Sequence, residues 1–311
     1  MRVGLNVANF AAPGGPAKLA EHLARVARRA EEVGFESLWV WDHFFWDQTP
    51  IGPGVTDREM IEAYTTLGFL AGVTRTIKLG TLVASATYRH PGALIKQVTT
   101  LDVLSGGRAI FGIGAGWFEE EHRALGIPFP TMKERFERLE ETVQIALLMW
   151  GDEGRYDRAK PFLGKHYRLE RTLNVPQALQ RPHPPILIGG SGEQKTLRLV
   201  AQYADACNLN GRFTADQLAH KLGVLRSHCE RLGRSYDAIE KTLYGRLHVT
   251  GTGHSGTMST TQAIAYCRTL ADLGFDTLVL VDDTFDIYDP AALDLWATLI
   301  PAIQQIPTAG R

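Results

Sequence analysis

The chain has 311 residues, 44% hydrophobic and 22% charged, with 33 Lys and Arg against 34 Asp and Glu for a formal net charge of -1. That balance excludes a disordered or fibrous chain and offers no global attraction for nucleic acid or anionic lipid, and no run approaches the roughly 20 apolar residues of a membrane span. Cys207, Cys229 and Cys267 lie far apart with no CxxC, so they propose neither a disulfide framework nor a zinc site, and reduced thiols in a cytoplasmic protein are expected.

Short β-branched runs alternate with segments of helical period along the whole chain. Val3 to Val7 is the first predicted strand. The helix after it carries Leu19, Leu23, Val26, Ala27, Ala30 and Val33 on one face and closes at Gly34, where a helix end favours a left-handed residue. Ser37 to Trp41 follows as a strand, Glu59 to Val73 as a helix and Ile77 to Val83 as the third strand, with a helix opening at Pro91. Ala109 to Ile113 is the fourth strand; beyond a Trp-Phe-Glu-Glu loop lies a long amphipathic helix bearing Phe136, Leu139, Val143, Ala146, Leu147 and Trp150. Pro185 to Ile188, Ala206 to Leu209, Thr242 to Val249 and Thr277 to Val281 complete eight strand units. Eight favour a closed (β/α)8 TIM barrel, an α/β fold with 1–311 as a single domain, over an open sheet. Trp46 to Arg58 and Asp152 to Pro184 exceed ordinary connection lengths and are predicted insertion segments, candidate lids at the carboxyl-terminal face. Within the second, Tyr156 to Leu169 predicts a small hairpin.

Barrel active sites are built at the carboxyl ends of strands, which makes the residues just after each strand the shortlist. Asp42-His43 puts a carboxylate and an imidazole at such an end, beside Phe44, Phe45 and Trp46. Imidazole suits proton transfer near neutral pH, although the local pattern taken alone favours a satisfied structural histidine. Gly189-Gly-Ser-Gly192 follows a strand and precedes a helix predicted from near Glu193, a geometry that offers backbone N–H groups to a phosphate or simply makes a tight turn. Gly112 to Gly116 has the spacing GxGxG and so fails the dinucleotide fingerprint; its glycines would let a flat ring lie on bare backbone, or again serve a turn. Trp39 and Trp41 share a strand face and read as packing, whereas Trp46 and Trp117 lie beyond strand ends and are better site residues. Neither HExxH nor an HxH after the first strand occurs, so no metal is expected, and Asp282-Asp283 read as loop acids or helix caps.

Together, Ala30-Glu-Glu-Val-Gly-Phe-Glu-Ser-Leu-Trp-Val-Trp-Asp-His43, Leu79-Gly-Thr-Leu-Val-Ala-Ser85, Tyr88-Arg-His-Pro91, Thr100-Leu-Asp-Val-Leu-Ser-Gly-Gly-Arg108, Gly112-Ile-Gly-Ala-Gly-Trp117 and Ile188-Gly-Gly-Ser-Gly192 give the chain its likeness. Over nearly its whole length it resembles the luciferase-like monooxygenase superfamily, in the branch of deazaflavin (coenzyme F420)-dependent oxidoreductases. The resemblance implies a deazaflavin in the barrel mouth with its tail over the fifth-strand loop. Asp42 would hydrogen-bond the ring and His43 would lie near its reactive carbon. A non-prolyl cis peptide would fall at Leu82-Val83 and back the ring, Ser85 would touch ring or ribityl group, and Gly114, Gly116 and Trp117 would line the cofactor. Gly189, Gly190, Ser191 and Gly192 would hold the phosphate. One departure stands out: where the branch's glucose-6-phosphate dehydrogenases carry a glutamate, this chain has Trp117, and the acids shift to Glu119, Glu120 and Glu121, which can equally begin a helix.

The expected activity is hydride transfer between the deazaflavin and a small organic substrate, with His43 exchanging the proton and Trp46 and Trp117 shaping the substrate face. A reduced-FMN monooxygenase fed by a separate reductase and a non-catalytic cofactor-binding barrel are the alternatives. A symmetric homo-oligomer is expected, as for barrel enzymes generally.

Overall fold

The computed structural model describes residues 1–46, 59–250, 252–253, 256–281 and 286–308. In chain order these form β1 (Arg2–Val7), α1 (Pro16–Val33), β2 (Ser37–Val40), α2 (Ala63–Val73), β3 (Lys78–Thr81), β4 (Ala84–Ser85), α3 (Pro91–Ser105), β5 (Ala109–Gly114), α4 (Glu119–Ala124) and α5 (Met132–Trp150). The two short strands β6 (Phe162–Leu163) and β7 (Arg168–Leu169) follow, then β8 (Ile186–Gly189), α6 (Thr196–Tyr203), β9 (Ala206–Asn210), α7 (Ala215–Leu232), β10 (Glu240–Gly245), α8 (Thr260–Leu273), β11 (Thr277–Val281) and α9 (Pro290–Gln304). Parallel strands run in the order β3-β2-β1-β11-β10-β9-β8-β5, and pairing of β3 with β5 closes the ring into an eight-stranded TIM barrel. β4 is a short continuation beyond β3 that also pairs with β5.

Two apolar layers hold the barrel. The outer one joins strands to helices and includes Leu5, Leu38, Leu79 and Phe111. The inner one is small: Trp39, Leu82, Leu187, Ala206 and Val279. Alternation along a strand sends neighbouring residues to opposite faces, so Trp39 fills the barrel while Leu38 faces the helices. The indole needs room, and glycines on both neighbouring strands supply it. A Cβ on Gly4 would stand 3.0 Å from Trp39 Nε1, and one on Gly80 would stand 2.8 Å from its ring. Trp39 therefore belongs to the core, with its N–H donated to Ser37 Oγ at 2.8 Å.

Several motif residues turn out to fix loops. Arg108, 8% exposed, donates to the carbonyls of Ala71, Thr74 and Ile77 and so satisfies the otherwise open end of α2. Asp102 accepts from the backbone N–H groups of Leu179 and Gln180, and Glu31 from those of Arg75, Thr76 and Ile77. Glu141 pins the antiparallel β6–β7 hairpin to α5 through the N–H groups of Lys165, His166 and Tyr167. That hairpin lies within the predicted stretch.

Boundaries differ from expectation where polar chemistry intervenes. The second helix starts at Ala63, not Glu59, because Glu62 is extended and its carboxylate caps the Thr65 N–H. The seventh strand runs from Glu240 to Gly245; the chain leaves the barrel there, and Val249 instead bridges Met258. The helix expected near Glu193 begins at Thr196 after a turn closed by Leu197 N–H to Gly192 O. Residues 47–58 of the first candidate lid, Asp282 and Asp283 lie outside the described residues. Among the described residues no helix is long and apolar enough to cross a membrane.

Candidate active site

Asp42 leaves the barrel directly after β2 with its carboxylate buried. Both of its oxygens are engaged: Arg89 meets them in a two-pronged pair at 2.7 and 2.8 Å, and the Ser85 N–H donates at 3.2 Å. Arg89 also reaches Glu62 at 2.5 Å and stacks over Phe44 and Tyr64, 5.6 and 5.2 Å from their ring centroids. Burial alone would lower the Arg89 pKa, but the two carboxylates outweigh it and push it up. Asp42 thus acts as a clamp between the β2 and β4 ends.

His43 faces a different partner. Its Nδ1 lies 2.9 Å from Glu121 Oε2, while the N–H of Phe44 and the hydroxyl of Tyr88 donate to the same carboxylate. Glu121 is 0% exposed. Burial would raise its pKa, yet hydrogen bonds from His43, Tyr88 and the Phe44 N–H together hold it below the ordinary carboxylate range. Burial and the adjoining carboxylate push the Tyr88 phenol up, so it stays a donor. The aromatic wall is real: Trp46, Trp117 and Phe118 have ring centroids 5.1, 5.8 and 5.7 Å from that of His43. Trp117 is 56% exposed and stacks on Phe118, whereas the Trp46 indole N–H is buried with no partner among the described residues.

The Leu82-Val83 peptide is cis, as the resemblance implies. Val83 is carried over the glycines of the neighbouring strands: Cβ atoms on Gly114 and Gly189 would stand 2.9 Å from its methyl groups. The expectation of a ring lying on bare glycine backbone therefore needs correcting. The glycines make space for Val83, whose partly buried apolar side chain is the candidate shelf.

Beside that shelf a hydroxyl chain runs from Ser85 Oγ to Thr87 Oγ1 at 2.6 Å and on to His122 Nε2 at 2.7 Å. Gly116 leaves it room, since a Cβ there would meet Ser85 Oγ at 2.4 Å. His122 Nδ1 lies 2.7 Å from the Phe118 carbonyl, which only accepts, so that nitrogen carries the proton. Burial lowers the His122 pKa and keeps the ring neutral, so Nε2 accepts from Thr87 and Ser85 donates to Thr87. Ser85 Oγ already accepts the Thr87 N–H at 3.4 Å, which leaves one lone pair for the mouth.

Gly189 to Gly192 form a second zone, separated from His43. Gly190 is left-handed, at φ 124°, and its N–H goes to Asn208 O, but the N–H groups of Ser191 and Gly192 donate to no described residue. Lys221 approaches the Ser191 carbonyl at 3.1 Å and Glu193 at 3.0 Å. A planar ring with a phosphate tail fits these residues: an apolar side chain at Val83, one remaining lone pair at Ser85, loop N–H groups that donate to no described residue, and buried polar atoms on Trp46 and Asn6 that no described residue partners.

Sequence reasoning brought His43, Trp46 and Trp117 to one place, and the structure joins them there. It left Glu121, Tyr88, Thr87 and His122 without roles. Glu121 sits in a run of three acids whose exposed neighbours read as ordinary helix-start charge, and nothing local marks the one that turns inward.

Residues 1–252 match the luciferase-like monooxygenase family. An F420-dependent glucose-6-phosphate dehydrogenase from Kineococcus radiotolerans is 32% identical over 232 residues, covering 71% of this chain and 62% of that protein. An FMNH(2)-dependent dimethylsulfone monooxygenase from Pseudomonas putida is 30% identical over 167 residues, 54% of this chain and 42% of that one. The chain spans from 51% to 62% of the length of three such F420-dependent glucose-6-phosphate dehydrogenases. In fold it is similar to an F420-dependent secondary alcohol dehydrogenase solved with an F420-acetone adduct, at a TM-score of 0.79 and 17% identity over 97% of this chain and 98% of the other.

Proposed function

The chain belongs to the luciferase-like monooxygenase family, and on that premise we propose that it is an F420-dependent oxidoreductase acting on a small organic substrate. The observation that carries this reading is the His43–Glu121 pair beyond the end of β2, with the apolar Val83 beyond the end of the paired strand β3, a proton-handling group and a surface suited to a ring on adjoining strand ends. The bound deazaflavin supplies a carbon-centred hydride donor and acceptor. The protein supplies everything else. Val83 supports the ring with Leu82 behind it, Ser85 accepts a hydrogen bond from the ligand, Gly114 and Gly116 keep that wall thin, and Gly189, Gly190, Ser191 and Gly192 hold the phosphate. Asp42 contributes by fixing the Ser85 N–H and Arg89. His43 exchanges the substrate proton while Trp46 and Trp117 exclude water and face an uncharged substrate. Trp117 in place of an acid disfavours a sugar phosphate.

Titration of the purified protein with coenzyme F420 and with FMN, followed by cofactor fluorescence, tests the assignment: micromolar binding of F420 with none of FMN is expected, and the reverse refutes it. The Pseudomonas putida relative supports one second reading, a reduced-FMN monooxygenase, which oxygen consumption with reduced FMN would reveal. Cytoplasmic residence fits the three buried free cysteines. Assembly into a symmetric homo-oligomer is consistent with exposed apolar residues on the outer helices, Phe69 on α2 and Leu104 on α3.

A further inference from the structure

Among the described residues, every group that hydrogen-bonds the Glu121 carboxylate is a donor or, at His43, can be one. Oε1 receives the Phe44 N–H and, at 3.4 Å, the Phe45 N–H; Oε2 receives the Tyr88 hydroxyl and faces His43 Nδ1 at 2.9 Å. A protonated carboxylic acid could keep all these contacts only by donating to a bare His43 Nδ1, but the hydrogen bonds gathered on the carboxylate outweigh burial and hold it below the ordinary range, so the ionised form is the resident one. An ionised carboxylate against Nδ1 in turn requires Nδ1 to carry hydrogen. Which imidazole nitrogen is protonated is decided by the bond the other makes. No described residue bonds His43 Nε2. The neighbouring Arg89 and His122 are committed elsewhere: Arg89 to Asp42 and Glu62, and His122 Nδ1 to the Phe118 carbonyl.

We propose that Glu121 is a positioning residue that holds neutral His43 as its Nδ1–H tautomer, leaving Nε2 as a proton acceptor directed at the aromatic mouth. This deepens the function proposed above and rests on it for the identity of the reacting group. When His43 takes a proton at Nε2, the imidazolium formed keeps Nδ1–H on the same carboxylate, so no side chain has to move. Tyr88 and the two backbone N–H groups prevent Glu121 from accepting that proton itself. Glutamine at this position fails for a simple reason: its amide NH2 must face one of the donors.

The test is a long-range proton–nitrogen correlation spectrum of the cofactor-free full chain, labelled at histidine nitrogens and recorded at alkaline pH, with His43 assigned by its loss in His43→Asn. Pyrrole-type Nδ1 and pyridine-type Nε2 are expected in the wild type. Glu121→Gln should change the tautomer ratio by about tenfold toward Nε2–H, as loss of a charge-assisted hydrogen bond implies, and Glu121→Asp should restore Nδ1–H as the major form. A wild-type spectrum with Nε2–H dominant overturns the proposal, as does a Glu121→Gln spectrum identical to wild type. Should Glu121→Gln not fold, the wild-type and Glu121→Asp spectra decide alone. Failure to bind F420 would refute the functional reading without touching these spectra, and a reversed tautomer would refute Glu121's role with F420 binding intact.

Discussion

Gly112→Ala probes the wall beneath the proposed ring shelf. A Cβ at this position would stand 1.9 Å from the Thr81 carbonyl oxygen, and the obstruction is backbone on the adjoining strand. Carbon and oxygen in close contact sit about 3.3 Å apart, so β3 and β5 must separate by roughly 1.4 Å. They are held together there by the Thr81 hydroxyl on Gly112 O at 2.8 Å. Overpacking of this kind costs about 1–3 kcal/mol, and a backbone partner puts it at the upper end. With an unfolding entropy of about 2.1 cal/mol/K per residue, 3 kcal/mol lowers the melting temperature of a chain this long by roughly 4–5 °C. Thr81 lies two residues before Val83, so displacement reaches that side chain and F420 affinity should fall as well. Two comparisons frame the result. Gly114→Ala meets a Val83 methyl at 2.9 Å, which can rotate, and should perturb ligand binding more than stability. Gly68→Ala in α2 meets nothing within 4 Å and should stabilise by about 0.5–1 kcal/mol through helix propensity. A Gly112→Ala protein that melts with the wild type and binds F420 normally would show that the wall is not close-packed and that the shelf argument is wrong.

Asp42→Asn breaks a buried ion pair; such losses cost about 3–5 kcal/mol, and because Glu62 still faces Arg89 the lower end is expected in chemical denaturation, with a wild-type midpoint refuting the clamp. His43→Asn should leave F420 binding within a few-fold and reduce single-turnover hydride transfer by about a hundredfold or more, the range typical of a lost general acid–base; unchanged turnover across a substrate panel would remove His43 from the chemistry. Burial raises the Glu31 carboxyl, but the N–H groups of Thr76, Ile77 and Arg75 outweigh it and hold the pKa at about 2. A folded pKa below the ordinary 4.5 means stability that is present above 4.5 and lost as pH falls toward 2. Melting curves should therefore decline over that interval, and Glu31→Gln should flatten part of the decline; parallel wild-type and variant profiles would exclude the effect.

The barrel was legible because its signals are local. Strand alternation, Gly34 closing α1 and Pro91 opening α3 each act within a few residues. Strand ends were less legible: Val249 has the apolar character of a strand, yet after Gly245 the chain has already left the sheet. At the site, position after β2 was enough to single out Asp42 and His43. Their partners lie 47 and 78 residues away, at Arg89 and Glu121, and nothing in the local pattern ties them together. The run from Thr100 to Arg108 carries family likeness and no chemistry; Asp102 and Arg108 serve loop anchoring and helix capping.

Helix α4 has six residues, and two consecutive ones, Glu121 and His122, serve two different hydrogen-bond networks of the mouth, one through His43 and one through Thr87. Successive side chains on a helix are about 100° apart, so one inserted residue before Glu121 would turn both away from their partners at once. The stretch from Gly116 to Glu121 is thus confined to change by substitution at constant length. The long connection from Asp152 to Pro184 obeys no such rule, since doubling a loop costs only about 0.6 kcal/mol. Lineages built on this barrel should accordingly diversify their substrates by lengthening distant loops and exchanging side chains at positions such as Trp117, while the length of α4 and its approach stays constant.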